Sequence, residues 1–186
     1  MDELGSTAGE VSVDYTAVMA VLLNNCDSDD TTTCLMALKW LGNVLEIAPS
    51  EVLNEYGPMV GAVLSCISHP NLDVQRAALA VNAALLQSKA PEAWKALDTR
   101  DLLNKINQEL SSNQEPTRLE ALHWLEFLLK QCPRAVLDEC ESVVNAVLDA
   151  LTMHWDRVVK SGIHLLGLLA QQEGQFRFVM EALLQR

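Results

Sequence analysis

The sequence predicts an all-α protein built as a stack of helical hairpins, an α-solenoid, and three observations carry that reading. Nearly half of the chain is apolar (49%), yet aromatics make up only 5%, and Leu, Ala and Val dominate. That balance favours helices over a β-sandwich, which would call for many more Thr, Tyr, Phe and Ile residues. Gly (8) and Pro (6) are sparse and fall at punctuating points rather than throughout. The third observation is a duplication. Shifted by 84 residues, Thr33–Leu64 falls on Thr117–Leu148 without a gap. Thr33, Leu35, Ala37, Leu38, Trp40, Leu41, Leu45, Pro49, Val52, Leu53, Glu55, Val60, Ala62, Val63 and Leu64 each meet their own residue type, 15 identities in 32 positions. Composition alone would give roughly two or three. The match extends more weakly from Asp14 on Asp98 to Gln87 on Gln171.

Each copy divides again into two units of about 42 residues, the period of HEAT and armadillo hairpins. The reading is therefore about four HEAT-type hairpins in two duplicated units, followed by one more helix. Copy one (14–87) carries helices over 14–25 and 31–47, separated by Asp27-Ser28-Asp29-Asp30. After a break at Pro49 comes a helix kinked at Gly57-Pro58 and running to 67, then a turn at His69-Pro70-Asn71 and a helix over 72–87. Copy two (98–171) repeats this over 99–110, 116–131, 134–151 and 155–171. Within each helix apolar residues recur at three- and four-residue spacings, as in Leu35, Leu38, Leu41 and Leu45. Residues 88–97 link the copies through a short helix after Pro91, residues 175–186 form the extra amphipathic helix, and residues 1–12 form a disordered N-terminus ahead of a single solenoid over 13–186. Because a repeat stack needs polar caps, an ending in mid-repeat leads us to expect a longer parent chain or an oligomeric contact.

The breaks have their own chemistry. Asp29, Asp30 or the threonines after them suit a helix cap at the positive end of the dipole. Pro116 suits a first turn, where its missing N–H costs nothing. Asn71-Leu72-Asp73-Val74-Gln75-Arg76-Ala77-Ala78 reads as the opening of a HEAT second helix, with small residues that let neighbouring hairpins approach. The matching Trp155–Gly162 stretch keeps only the Val and a basic residue. The second helices (31–47, 72–87, 116–131 and 155–171) are expected to line the concave face.

A net charge of −12 argues against nucleic acid and against direct electrostatic docking on anionic lipid, both of which need clustered Lys and Arg. Membrane association is therefore expected only through partners. Cys26, Cys34, Cys66, Cys132 and Cys140 are odd in number, contain no C-x-x-C pair and lie in or beside apolar helical runs. They read as buried thiols of a reducing compartment. With no secretory signal in the first residues and no apolar run long enough to span a bilayer, the expectation is a cytoplasmic protein.

No phosphate loop, nucleophile elbow or H-E-x-x-H helix is present. His69, His123, His154 and His164 are too scattered for an ordinary metal site, and His123 falls on Lys39 of the other copy, as a solvent-facing position would. Asp27, Asp29 and Asp30 lack the Gly and bidentate Glu of a calcium loop and read as a helix-capping turn. No catalytic, cofactor-binding or metal-binding residue is expected, and no enzyme. Trp40 and Trp124 recur at one repeat position and read as packing, with partner anchoring as the alternative. Trp94 and Trp155 do not repeat and read as exposed. The Met residues read as gap-filling core.

The wording of the repeats carries a resemblance as well. Leu35–Ala48, Val60–His69, Val81–Leu86 and Thr117–Leu125 resemble, in order, the central HEAT region of the ArPIKfyve-type vacuole-morphology scaffolds. Phe176–Leu184 resembles the start of that family's following segment. The resemblance implies a regulatory scaffold for a PIKfyve-type phosphatidylinositol 3-phosphate 5-kinase and an opposing Sac-domain phosphatase, peripheral to vacuolar or endosomal membranes through those partners. Family members are much longer, with kinase-binding and oligomerising regions that this sequence does not contain, and no individual binding residue carries over. A generic cytosolic HEAT adaptor for another complex is the other reading.

Overall fold

A computed structural model describes residues 13–87, 99–172 and 174–185. The described residues form ten α-helices and one short 3-10 helix, with no strand. Copy one holds α1 (Tyr15–Cys26), α2 (Thr31–Ile47), the 3-10 turn Leu53–Glu55, α3 (Tyr56–Cys66) and α4 (Leu72–Gln87). Copy two holds α5 (Thr99–Leu110), α6 (Glu115–Gln131), α7 (Pro133–Asp138), α8 (Cys140–Leu151) and α9 (Asp156–Ala170), and α10 (Phe176–Leu184) follows. The expectations of a disordered segment over 1–12 and of a helix after Pro91 lie outside the described residues, as does Trp94.

The helices pack in two layers. First helices touch first helices, α1 on α3, α3 on α5, α5 on α8 and α8 on α10, while the second helices pair as α2 on α4 and α6 on α9. The core runs between the layers. Leu38, Leu41, Val63, Leu64, Leu122, Leu125, Val147 and Leu169 are fully or almost fully enclosed. Each such Leu or Val contributes about 1.5–3 kcal/mol relative to exposure, so the stripes that marked the helices in the sequence also hold the layers together.

Local caps set the helix starts. The Asp14 carboxylate accepts from the Ala17 N–H at 3.0 Å, and that of Asp30 from the Thr33 N–H at 2.9 Å and the Thr33 hydroxyl. Those bonds hold the Asp30 carboxyl below its ordinary pKa. Asn71 caps α4 by accepting from the Asp73 and Val74 N–H groups at 2.8 and 3.3 Å. Where copy one has Asp30, copy two has Gln114 with no side-chain cap, and Pro116 in the first turn of α6 substitutes for it.

Two sequence expectations are corrected here. The helix expected over 134–151 is broken at Glu139 into α7 and α8, and the kink expected at Gly57-Pro58 lies at Glu55, 84 residues earlier. Copy two has Glu141-Ser142 where copy one has Gly57-Pro58, so that dipeptide does not cause the shared break. Its recurrence ties it to packing common to both copies rather than to a local breaker. Gly57 serves close approach instead: a Cβ there would sit 2.8 Å from the Asp101 carboxylate and 3.6 Å from the Leu102 nitrogen at the start of α5. Gly162 does the same between α9 and α8, where a Cβ would meet the Leu151 side chain at 2.5 Å.

None of the five cysteines is in a disulfide, and four are buried while Cys132 is half-buried. The Cys34 and Cys66 sulfurs are 4.0 Å apart and both lie on the Cys26 carbonyl, at 3.0 and 3.4 Å. Burial first, then the neighbouring thiols, pushes Cys26 and Cys66 up to about 12, so these sulfurs are packing groups and weak S–H donors. The methionines divide: Met19 and Met59 fill the core, but Met36, Met153 and Met180 are exposed, against the expectation of a core role.

Candidate docking surface

The outer surface of the second helices holds the chain's most organised polar chemistry, built where α4 meets α6. Trp124 is fully enclosed, its indole N–H donating to the side-chain Oδ1 of Asn82 at 2.7 Å and its ring meeting Phe127 edge-on at 5.6 Å. The Asn82 amide in turn donates to Glu120 at 2.8 Å, and the other Glu120 oxygen lies 3.3 Å from Nδ1 of His123. Hydrogen bonding to Glu120, against a smaller opposing effect of burial, raises the His123 pKa. One turn on, Glu126 pairs with Lys130 at 2.6 Å and lies 3.8 Å from His164 of α9. The Lys130 bond lowers the Glu126 pKa. A buried Asn is costly unless its amide is satisfied, and here both ends of it are. The result is a fixed ridge joining α4, α6 and α9, with His123 and His164 at its solvent edge.

A second polar element fixes the spacing of the hairpins. Arg118, only 6% exposed, donates through Nε to the Ser112 carbonyl, through Nη1 to that of Ala150 at 3.0 Å and through Nη2 to that of Ser111 at 3.5 Å. Its guanidinium stands 5.3 Å from the centre of the Trp155 ring. The turn before α6 is thereby tied to the turn before α9. Trp155, expected to be exposed, is half-buried beneath Arg118.

Trp40 departs from the packing role read for it. It is 52% exposed, although its counterpart Trp124 has no exposed surface. With Leu22, Asn25, Thr32, Thr33, Met36 and Ala37 it lines an open groove of about 320 Å³ between α1 and α2. At the other end of the stack, Phe176, Met180, Leu183 and Leu184 form an exposed stripe on α10 while Val179 faces inward. A smaller and more enclosed hollow of about 260 Å³ lies between α8 and α10, lined by Glu141, Asn145, Phe178, Glu181, Ala182 and Gln185.

The remaining sequence candidates fall apart in space. Among the described residues no three His, Cys, Asp or Glu side chains converge as metal ligands, and no helix is long and apolar enough to cross a membrane. Asp30 caps α2, as read. Sequence reasoning missed Asn82, Glu120 and Arg118. The first carried a usable signal, since an Asn inside an apolar stripe falls on Leu166 in the other copy.

The fold defines the class: an α-solenoid of the HEAT and armadillo kind. A designed armadillo repeat protein in complex with the peptide (KR)4 superposes with a TM-score of 0.58 at 14% identity, over 88% of this chain and 70% of that one. A chain of the Rix1-Rea1 pre-60S particle superposes with a TM-score of 0.62 at 13% identity, over all of this chain and 78% of that one. In sequence the likeness is narrower, to vacuole-morphology proteins. The chain is 29% identical over 166 residues to the VAC14 homolog of Arabidopsis thaliana, covering 89% of this chain and 22% of that protein. It is 24% identical over 173 residues to the VAC14 homolog of Schizosaccharomyces pombe, and 20% identical over 161 residues to Vacuole morphology and inheritance protein 14 of Saccharomyces cerevisiae. The vacuole-morphology resemblance carried by the repeat residues is thus borne out. The chain spans about a fifth of the length of these relatives. No family model matches it.

Proposed function

We propose that this chain is a non-catalytic HEAT-repeat scaffold segment serving a phosphatidylinositol 3-phosphate 5-kinase complex. In that role it supports phosphatidylinositol 3,5-bisphosphate synthesis and vacuole or endosome homeostasis. The observation that carries the reading is the similarity to three vacuole-morphology proteins from a plant and two yeasts across more than four-fifths of the chain. The solenoid supports it physically, because stacked hairpins offer an extended surface on which affinity accumulates over several repeats.

The partners are a PIKfyve-type lipid kinase and a Sac-domain phosphatase, and they bring the cytoplasmic scaffold to the membrane. Both copies act as one solenoid, with the second-helix layer as the docking face. Its ordered ridge of Asn82, Glu120, His123, Glu126 and His164 joins three helices and so presents a pre-organised surface.

The test is affinity purification of the tagged chain from its own cells, with mass spectrometry of what it retains. Recovery of a lipid kinase of this type or a Sac-domain phosphatase supports the reading. A preparation that retains neither, from cells expressing both, overturns it and leaves an adaptor for another complex.

A further inference from the structure

We propose that Cys34 and Cys66 are an oxidative modification site, a thiol pair that a peroxide converts into a disulfide joining α2 to α3. The internal repeat points to it. Positions 34 and 118 are equivalent, as are 66 and 150, and 26 and 110. In copy two the corner they mark is closed by Arg118, which reaches the carbonyls of Ser111, Ser112 and Ala150. Copy one has Cys34 in place of that arginine, and the corner holds three of the chain's five cysteines. They come from the last residue of α1, the first turn of α2 and the last residue of α3. The Cys34 and Cys66 sulfurs are in contact at 4.0 Å although 32 residues separate them. Both residues are buried, at 0% and 4% exposed, so the pair is brought together by the packing of the first two hairpins on each other.

A disulfide needs its sulfurs about 2.05 Å apart, so each has roughly 1 Å to move. The surroundings divide the labour. Once Cys34 ionises, the Cys66 S–H donates to it, which works against the burial that raises the Cys34 pKa. Burial and the neighbouring thiols hold the proton on Cys66 more firmly. Cys34 is therefore the attacking sulfur. Its thiolate takes one oxygen of hydrogen peroxide to give a sulfenic acid, and the departing hydroxide leaves as water with the proton that Cys34 lost. The Cys66 sulfur then attacks the Cys34 sulfur. The S–O bond breaks as the S–S bond forms, and the second hydroxide leaves as water with the Cys66 proton. The two thiols lose two electrons in all, and one peroxide becomes two waters. Burial makes the reaction slow, because the thiolate is the reactive form, and entry is by local opening at the helix ends where all three cysteines lie. Oxidation also takes both S–H donors from the Cys26 carbonyl, so α2 and α3 are joined as the end of α1 loses two bonds. The chemistry holds whichever complex the solenoid serves.

Peptide mapping of the whole wild-type chain tests this. The reduced, folded chain is treated with hydrogen peroxide until reaction stops, and the remaining thiols are alkylated in denaturant. Cleavage after Lys39 and before Asp14, Asp27, Asp30 and Asp73 then places Cys26, Cys34 and Cys66 in three separate peptides. The expected product joins residues 30–39 to 40–72, has lost two hydrogens and is reversed by dithiothreitol, with helical circular dichroism unchanged. The same treatment of the chain unfolded in guanidinium is expected to link Cys34 mainly to Cys26, eight residues away, because the shorter loop closes more readily. Recovery of Cys34 and Cys66 from the folded chain as alkylated thiols or as sulfinic acids overturns the proposal. So does a folded product in which Cys26 is linked to either, or one that shows the same pairing as the unfolded chain.

Discussion

In copy two, Trp124 has no exposed surface and its indole N–H is bound to Asn82 of α4; in copy one, Trp40 stands half in solvent on the edge of α2. Two other positions diverge in the same way. Arg118 reaches the carbonyls of Ser111, Ser112 and Ala150, whereas its counterpart Cys34 donates only to the Cys26 carbonyl. Trp155 stands under Arg118, whereas its counterpart Asn71 caps α4. The apolar stripes are shared and the junctions are not. A hairpin's own core is fixed by residues within it, so duplication preserves it. The exposed carbonyls and rings between hairpins are satisfied by whatever the neighbour offers, and there the copies have separated.

The largest expected consequence is at the two tryptophans. Trp124→Ala removes a fully enclosed ring and is expected to cost about 3–5 kcal/mol. Trp40→Ala, half in solvent, is expected to cost less than about 1 kcal/mol. Urea denaturation of the two variants at a concentration that keeps the chain monomeric measures both. Equal losses would mean that Trp40 is packed as Trp124 is.

Next in size is Arg118→Ala, which leaves three carbonyls without their donor and removes the contact with Trp155. The expected loss is about 1.5–3 kcal/mol, whereas Cys34→Ala removes one weak donor and is expected to cost less. A smaller effect attends the Asn82 bridge. Asn82→Ala strands the Trp124 N–H and is expected to cost about 1–3 kcal/mol. In a Trp124→Phe background, which has no N–H to strand, that cost should shrink. A double-mutant cycle by chemical denaturation reads the coupling, and additive losses would remove the bridge from the account.

Much of the fold was legible in the sequence. The bounds read for α2, α4 and α5 are those observed, because all three carry an apolar stripe to their ends and α2 and α4 begin at the capping residues Asp30 and Asn71. The break at Glu139 was not legible, since no Gly or Pro marks it. Nor was the exposure of Trp40: self-alignment assigns two matching tryptophans one environment, but burial at a hairpin's edge depends on what lies beside it. The surface ridge was half legible. His123 matching Lys39 pointed to solvent, and His123 is exposed. Its partner Glu120 stands three residues before it on the same helix, but the Asn82 beneath comes from a helix 38 residues away from Glu120, which no local spacing reveals.

The smallest expected effect is a pH dependence at His123. Glu120 raises its pKa in the folded chain, above an unfolded value near 6.5. The pair therefore favours the fold fully below about 6.5 and loses that contribution as pH rises through the folded pKa. An NMR titration should show His123 titrating higher than it does in a Glu120→Gln variant, and the same midpoint in both would contradict the assignment.

The central claim, that matching sequence in the two copies is held unequally at the solenoid's edge, is tested most directly by hydrogen exchange followed by mass spectrometry on the dilute monomer. Slower exchange is expected in α6, hydrogen-bonded to α4 and packed on α9, than in α2, which among the described residues packs in its layer on α4. Equal protection of the two helices would contradict it.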